Sequence, residues 1–178
     1  NLIVGVNNGD IEAIERYQAI KSANRNSIDQ YKFEQFIATK QIKENKQWRD
    51  KTGFKYINDL LIGCSKMDEW RFKDAFLEDY TIGAYEYSGK HQVWGIPVLN
   101  PRKIFKGPQM ELNVGGKFLK EKLDYNLEFC ENTRIDHVLG LVEPYLIRKD
   151  SIFKNENGEI DYSKLQGSYM SETYENGE

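Results

Sequence analysis

The sequence is poor in the features that mark several large classes of protein. Its 178 residues contain two cysteines, Cys64 and Cys130, and two histidines, which fit neither a disulfide framework nor a Cys/His metal cluster. Lysine and arginine total 25 against 28 acidic residues, so the net charge of −3 provides no basic field for a phosphate backbone. No apolar run approaches the roughly 20 residues that span a bilayer. We therefore expect the protein to have no nucleic-acid, membrane or secretory role. We expect its thiols to be reduced and its location to be cytoplasmic.

The composition is that of a folded chain with many aromatic side chains. Hydrophobic residues make up 39% and aromatic residues 13%, enough for a core in a chain that is otherwise polar. The length suits one domain or part of one. Because the chain begins with Asn1 rather than methionine, we expect its start to be processed, trimmed or left out.

Apolar periodicity predicts an alternation of helices and short strands. Three- and four-residue spacing predicts helices, and short runs of branched and aromatic residues predict buried strands. Prolines and glycines predict an ordered loop that exposes Tyr85, Tyr87 and Trp94. The predicted order is helix 10–21, helix 27–53 capped by Ser27, strand 54–63, helix 68–80, loop 81–109, helix 116–130, strand 133–141, and polar loop or tail from residue 150. This order is typical of an α/β fold with parallel strands.

Two charged residues lie on the last predicted strand. Arg134 and Asp136 are two apart, so on a strand both side chains lie on one face. Catalytic groups of parallel α/β folds gather where strands end, and a carboxylate beside an arginine stays ionised, as a nucleophile requires. On spacing alone, a structural ion pair near the strand end is the favoured alternative.

Two further segments carry groups suited to sugars. Asp59 lies on the first predicted strand, where it could also be a turn-forming residue. The predicted loop contains Gln92, Trp94, Gly95 and Pro97, which combine a flat apolar platform with an amide that can bond hydroxyl groups. A tryptophan that only anchors the loop in the core is the alternative reading.

The ordered motifs resemble a known family. Gln92-x-Trp94-Gly95-x-Pro97, followed by Arg134-Ile135-Asp136-His137, is similar to the 4-alpha-glucanotransferases, or amylomaltases, of glycoside hydrolase family 77. The resemblance covers residues 30–147. It implies part of a (β/α)8 TIM-type barrel with helical insertions, in which 1–29 is a helical lead-in, 30–147 the family-like core and 148–178 a polar loop or tail.

The resemblance also implies an activity and roles for single residues. The reaction would move alpha-1,4-glucan segments between maltooligosaccharides by a retaining double displacement. Asp136 would be the nucleophile, held ionised and oriented by Arg134. Asp59 would lie near the donor sugar. His137, Trp94, Gln92 and Gly95 would bind the substrate, and no metal or organic cofactor is implied.

The chain departs from the family in ways that leave alternatives open. It reads Asn58-Asp59-Leu60-Leu61 where the family has Gly-Asp-Leu-Pro, and His91-Gln92 where the family has Gly-Gln. The acid/base glutamate of the family matches none of Glu143, Glu156, Glu159 and Glu172. Because a complete barrel takes about 250 residues, we expect an internal portion of a larger enzyme, inactive in isolation. A glucan-binding protein without catalysis and a related alpha-glucan hydrolase are the alternatives.

Overall fold

The computed structural model describes residues 2–86 and 88–175, which divide into two compact units, 1–55 and 56–178. The first unit contains three helices: α1 (Leu2–Asn7), α2 (Ile11–Ala23) and α3 (Arg25–Thr52). Asp10 begins α2, because its Oδ1 accepts hydrogen bonds from the amides of Glu12 and Ala13 at 3.0 and 3.3 Å. Gly53 ends α3 in the left-handed conformation, with φ of 72°.

The two predicted helices of this unit are confirmed, but the predicted cap of α3 is wrong. The helix begins at Arg25, so Ser27 lies inside it, and Asn24 precedes it without a side-chain cap. The apolar residues of the α2 stripe are largely exposed: Ile11 is 73% exposed and Ile20 46%. Helical periodicity fixed the secondary structure correctly, although no residue of α2 is buried within the described residues.

The second unit contains a parallel pair of strands. β1 (Ile57–Leu61) pairs with β6 (Asn132–Asp136), and α5 (Val114–Phe129) comes just before β6 in the chain. The predicted helix 116–130 is thereby confirmed, and so are the two parallel strands, which are shorter than predicted. Their predicted burial is wrong, since Leu60 is the buried member of β1 and Ile135 is 41% exposed. Among the described residues no other strand joins the pair.

An antiparallel sheet provides most of the core. Its order is β3 (His91–Leu99), β2 (Phe76–Tyr85), β7 (Tyr145–Arg148) and β8 (Gly167–Tyr169). Val98, Leu146 and Ile147 are fully buried. Smaller elements complete the unit: α4 (Lys66–Arg71), β4 (Phe105–Lys106), β5 (Glu111–Leu112) and α6 (Met170–Glu175).

The hairpin of β2 and β3 overturns two predictions. The predicted helix 68–80 ends at Arg71 and gives way to β2, and the predicted loop 81–109 is largely strand. Shifts of register between Leu77 and Thr81 and between Ile82 and Gly83 break the alternation of buried residues that identifies a strand. Pro97 fits because β3 is the outer strand. Tyr85 is half exposed and Trp94 38% exposed, whereas Tyr87 lies outside the described residues.

The segment after residue 150 is more ordered than predicted. It contains β8 and α6, and a bridge between Lys154 and Ile160 closes a turn. Both free cysteines are buried, and burial raises the pKa of Cys64 to about 11 against a partial opposing effect of Lys122. Within the part of the chain that the structure describes, no helix is long and apolar enough to cross a membrane. The architecture is a mixed α/β one.

Candidate active site

The parallel pairing of β1 and β6 brings two charged side chains together. Asp59 lies opposite Arg134 in the strand register. The guanidinium donates from Nε to Asp59 Oδ1 at 2.7 Å and from an Nη to Oδ2 at 2.5 Å. These hydrogen bonds, with the negative charges of Asp59 and Asp136, raise the pKa of Arg134. The two-pronged bond fixes the guanidinium at the centre of an open, charged surface.

Asp136 lies at the carboxyl end of β6, opposite Leu61 of β1. It is exposed, and within residues 2–86 and 88–175 its carboxylate makes no hydrogen bond or ion pair. Arg134 acts on it through charge, since both hydrogen-bonding prongs of the guanidinium go to Asp59. The Asp136 carboxylate is therefore exposed to solvent and lies beside the positive charge of Arg134. Both properties suit a nucleophile.

Trp94 and His137 form a second group of site residues. Their rings meet edge to face, with centroids 5.2 Å apart and planes inclined by 65°. His137 follows Asp136 directly and has a left-handed backbone, with φ of 54° and ψ of 48°. This conformation turns the chain sharply at the end of β6. It brings the ring of His137 from the end of β6 to the tryptophan of the hairpin.

A series of hydrogen bonds holds Trp94 in place. Its indole Nε1 donates to Gln92 Oε1 at 3.0 Å, and Gln92 Nε2 donates to Glu86 Oε1 at 2.6 Å. The hydroxyl of Ser88 donates to the other oxygen of Glu86 at 2.9 Å. The bonds from Gln92 and Ser88 lower the pKa of Glu86. The amide of Gln92 is therefore oriented at both ends.

Gly95 supplies the backbone bend beside the tryptophan. Its φ of 69° lies in the left-handed region that glycine adopts without strain. A Cβ atom there would meet no atom within 4 Å apart from those of its chain neighbours, so the position needs glycine for its backbone rather than for space.

The structure brings the predicted site residues into two connected groups. Asp59 pairs with Arg134, and Gln92 and His137 contact Trp94. The sequence did not point to Glu86, because no local pattern marks a residue whose carboxylate orients the Gln92 amide across the hairpin. It also missed Lys122, which a helix pattern assigns simply to the solvent-facing side.

The acidic residues that follow β6 have structural bonding partners. Glu143 accepts hydrogen bonds from the amide and hydroxyl of Ser171 at 2.7 and 2.8 Å, at the beginning of α6. Glu159 accepts one from the Asn155 side chain at 3.0 Å. Among the described residues, no group of three or more His, Cys, Asp or Glu is placed to hold a metal ion. We assign the acid/base role to none of these acidic residues.

Lys122 fixes the strand end next to Asp59. Its half-buried Nζ donates to the backbone carbonyls of Leu61 and Gly63 at 2.6 and 2.7 Å. Replacing Lys122 by methionine leaves two carbonyls without this charged donor and is expected to lower the free energy of unfolding by about 1–3 kcal/mol. Urea denaturation monitored by tryptophan fluorescence measures the effect.

A lysine on the same helix provides the control for this variant. Lys120 pairs with the exposed Asp124 one turn later, at 2.5 Å. Lys120→Met is expected to change the unfolding free energy by less than about 0.5 kcal/mol, as is typical of exposed pairs. Equal losses in the two variants would show that the carbonyl contacts of Lys122 contribute nothing.

Comparison with known proteins identifies the family. A family model described as 4-alpha-glucanotransferase matches residues 8–177. The chain belongs to this family. The match covers nearly the whole chain, and so it includes both strands of the parallel pair and the hairpin with Trp94.

Individual relatives are consistent with the family. The chain is 29% identical over 114 residues to a 4-alpha-glucanotransferase of Chlamydia pneumoniae, covering 62% of the chain and 20% of that relative. It is 26% identical over 118 residues to a 4-alpha-glucanotransferase of Chlamydia muridarum (strain MoPn / Nigg), covering 64% and 21%. The chain thus spans about a fifth of the length of these relatives.

A solved structure shares the fold. The amylomaltase from Streptococcus agalactiae, determined in complex with acarbose, matches with a TM-score of 0.65 at 20% sequence identity. The match covers 88% of this chain and 30% of that one. At this identity the likeness establishes the fold.

Proposed function

We propose that this chain carries the nucleophile and a sugar platform of a 4-alpha-glucanotransferase that moves alpha-1,4-glucan segments between maltooligosaccharides. The single observation that carries the proposal is the open Asp136 carboxylate, beside the Asp59–Arg134 pair at the end of a parallel strand pair. Family membership supports the reaction class. The parallel pair with α5 before β6 supports an arrangement as part of a (β/α)8 barrel.

The chemistry is a double displacement with retention. An oxygen of Asp136 forms a bond to the anomeric carbon of the donor glucan while the glycosidic bond breaks, and the leaving oxygen takes a proton from an acid. The 4-hydroxyl of an acceptor glucan then attacks the same carbon and gives up its proton. The ester bond breaks and the Asp136 carboxylate is restored. Two inversions restore the alpha configuration.

The residues around Asp136 have separate tasks in this proposal. Arg134, held by its hydrogen bonds to Asp59, keeps a positive charge beside the nucleophile. Trp94 offers an apolar face to a sugar ring, and Gln92 and His137 offer polar edges beside it. Exclusion of water by the assembled site would favour a sugar acceptor over hydrolysis.

An activated donor tests the nucleophile separately from the acid. Fluoride leaves α-maltosyl fluoride without prior protonation, so the first displacement needs the nucleophile alone. Although the chain is expected not to complete glucan transfer without the acid/base residue, we expect it to release fluoride and to form a maltosyl ester on Asp136. A fluoride electrode measures the release, and acid quenching with peptide mass mapping locates the adduct.

The outcomes separate catalysis from binding. An adduct on the peptide that contains Asp136 supports the proposal. An adduct elsewhere assigns the nucleophile to another residue and overturns it. Saturable binding of α-maltosyl fluoride without fluoride release also overturns it, in favour of a glucan-binding protein.

A further inference from the structure

Strand pairing alone does not fix the part of the β2–β3 hairpin that carries Trp94. The register shifts between Ile82 and Gly83 of β2, so that Trp94 and Gly95 form a bulge in β3 without a partner residue in β2. Beyond the bulge, only residues 91–93 of β3 pair with β2 before the turn. β3 is the outer strand, and β2 is the only strand that pairs with it among the described residues. Contacts outside the strand pairing must therefore set the direction of the indole.

A hydrogen bond across the sheet fixes this end of the hairpin. Nδ1 of His91, the first residue of β3, lies 2.8 Å from the hydroxyl oxygen of Tyr145, the first residue of β7. Burial raises the pKa of Tyr145 to about 12, so the hydroxyl keeps its proton at neutral pH and can donate it to the imidazole. The two rings are also stacked, with centroids 5.9 Å apart and planes inclined by 29°. Side chains thus join β3 to β7, although β2 lies between these strands.

The intervening strand accommodates this contact. Tyr145 lies opposite Gly83 of β2, which has no side chain that could separate Tyr145 from His91. Tyr85 lies opposite His91 and packs edge to face against the imidazole, with ring centroids 5.4 Å apart. Tyr145 is 5% exposed, so its side of the hydrogen bond is shielded from water. A hydrogen bond in such surroundings favours one position of the strand end.

His91 directly precedes Gln92, the residue that accepts the hydrogen bond from the Trp94 indole. Successive side chains of a strand lie on opposite faces, so His91 bonds towards β7 while Gln92 bonds Trp94 and Glu86. The backbone position of His91 therefore sets that of the Gln92 amide. We propose that His91, through its hydrogen bond with Tyr145, is a positioning residue for Trp94. It keeps the indole in the orientation that binds the donor sugar, and this inference rests on the proposed function.

Removing one hydroxyl group tests the inference. Tyr145→Phe keeps the ring and loses the hydrogen bond to His91. Fluoride release is measured over a range of α-maltosyl fluoride concentrations. We expect the KM to rise by about 3- to 10-fold, the effect of one hydrogen bond, while kcat stays within about twofold. General damage to the fold has the opposite signature, because a smaller active fraction lowers kcat and leaves the KM unchanged.

A double-mutant cycle shows whether the two residues act together. His91→Phe keeps a ring without the Nδ1 atom and is expected to raise the KM as much as Tyr145→Phe. The double variant is expected to have no higher KM than either single variant. Tyr169→Phe is the matched control. Tyr169 packs against the ring of Tyr145 with centroids 5.1 Å apart, and its hydroxyl makes no hydrogen bond within the described residues, so its loss should leave the KM unchanged.

The fluorescence of Trp94 tests its orientation without any catalysis. Trp48 and Trp70 are exposed, and replacing both by phenylalanine leaves Trp94 as the last of the three tryptophans. Time-resolved anisotropy then measures the nanosecond motion of its indole. In this background we expect Tyr145→Phe to increase the amplitude of the motion and Tyr169→Phe to leave it unchanged.

The results separate this inference from the proposed function. If the KM and the amplitude both rise in Tyr145→Phe, the inference stands. If the unaltered protein releases fluoride but Tyr145→Phe keeps its KM, or lowers kcat alone, the inference is overturned and the proposed function is not. An unchanged amplitude in Tyr145→Phe also overturns the inference. If the unaltered protein releases no fluoride, the proposed function fails and the inference fails with it.

Discussion

Replacing Asp136 by asparagine is expected to slow fluoride release from α-maltosyl fluoride by about 10³-fold or more, because the amide cannot form the ester intermediate. Asp136 is exposed, and its carboxylate has no hydrogen-bond partner within the described residues, so the change leaves the packing intact. The unfolding free energy should therefore change by less than about 0.5 kcal/mol. Rate and stability are measured on the same preparation.

Asp150 supplies the control for a changed surface charge. It is exposed and paired with Arg148 at 2.7 Å, away from the parallel pair. Asp150→Asn is expected to release fluoride at the unaltered rate. A rate within about threefold of the unaltered protein for Asp136→Asn would contradict the assignment of the nucleophile.

A small anion can replace the missing carboxylate. In Asp136→Gly, azide has room beside the anomeric carbon, where it forms a carbon–nitrogen bond as the carbon–fluorine bond breaks and fluoride leaves. A single displacement inverts the centre, so the expected product is β-maltosyl azide, identified by proton NMR. Recovery of rate with this product distinguishes a nucleophile from a residue that only supports the site. Recovery with no β-azide would contradict that role.

The helices and two of their ends could be predicted from the sequence because their signals are local. Apolar residues three and four apart identify α2, α3 and α5, and Asp10 and Gly53 mark helix ends by their own chemistry. The hairpin could not be predicted in this way. Phe72 and Phe76 have a helical spacing, while the bulges of β2 remove the alternation that identifies a strand.

The chemical types of the site residues could be predicted, but their contacts could not. Arg134 and Asp136 are two residues apart, and this spacing favours a pair between them. The guanidinium instead bonds Asp59, which is 75 residues earlier in the chain and lies opposite it through strand pairing. Register between distant strands depends on everything folded between them, here α4, the hairpin and α5. The Trp94–His137 contact depends on the same packing.

Replacing Arg134 by methionine is expected to lower the rate of fluoride release by about 10²-fold, since it removes the positive charge beside the developing reaction centre. The side chains of Arg134 and Asp59 are 65% and 47% exposed, so the loss in stability should stay below about 1 kcal/mol. Arg134→Lys keeps the positive charge but cannot make the two-pronged bond to Asp59, and it should recover part of the rate.

The two Arg134 variants show whether charge or hydrogen-bond geometry matters. Arg134→Lys keeps a positive charge but loses the two-pronged bond to Asp59, whereas Arg134→Met loses both. A rate for Arg134→Lys as low as that for Arg134→Met would contradict a role for the positive charge.

A variant of Asp59 shows whether the two hydrogen bonds between Asp59 and Arg134 matter for the rate. Asp59→Asn removes the anion that both prongs of Arg134 grip, at 2.7 and 2.5 Å, and frees the guanidinium to move. If the pair works as one unit, the double variant Asp59→Asn/Arg134→Met will be no slower than Arg134→Met alone. Losses that multiply would assign the two residues independent roles, with Asp59 contacting the donor sugar directly.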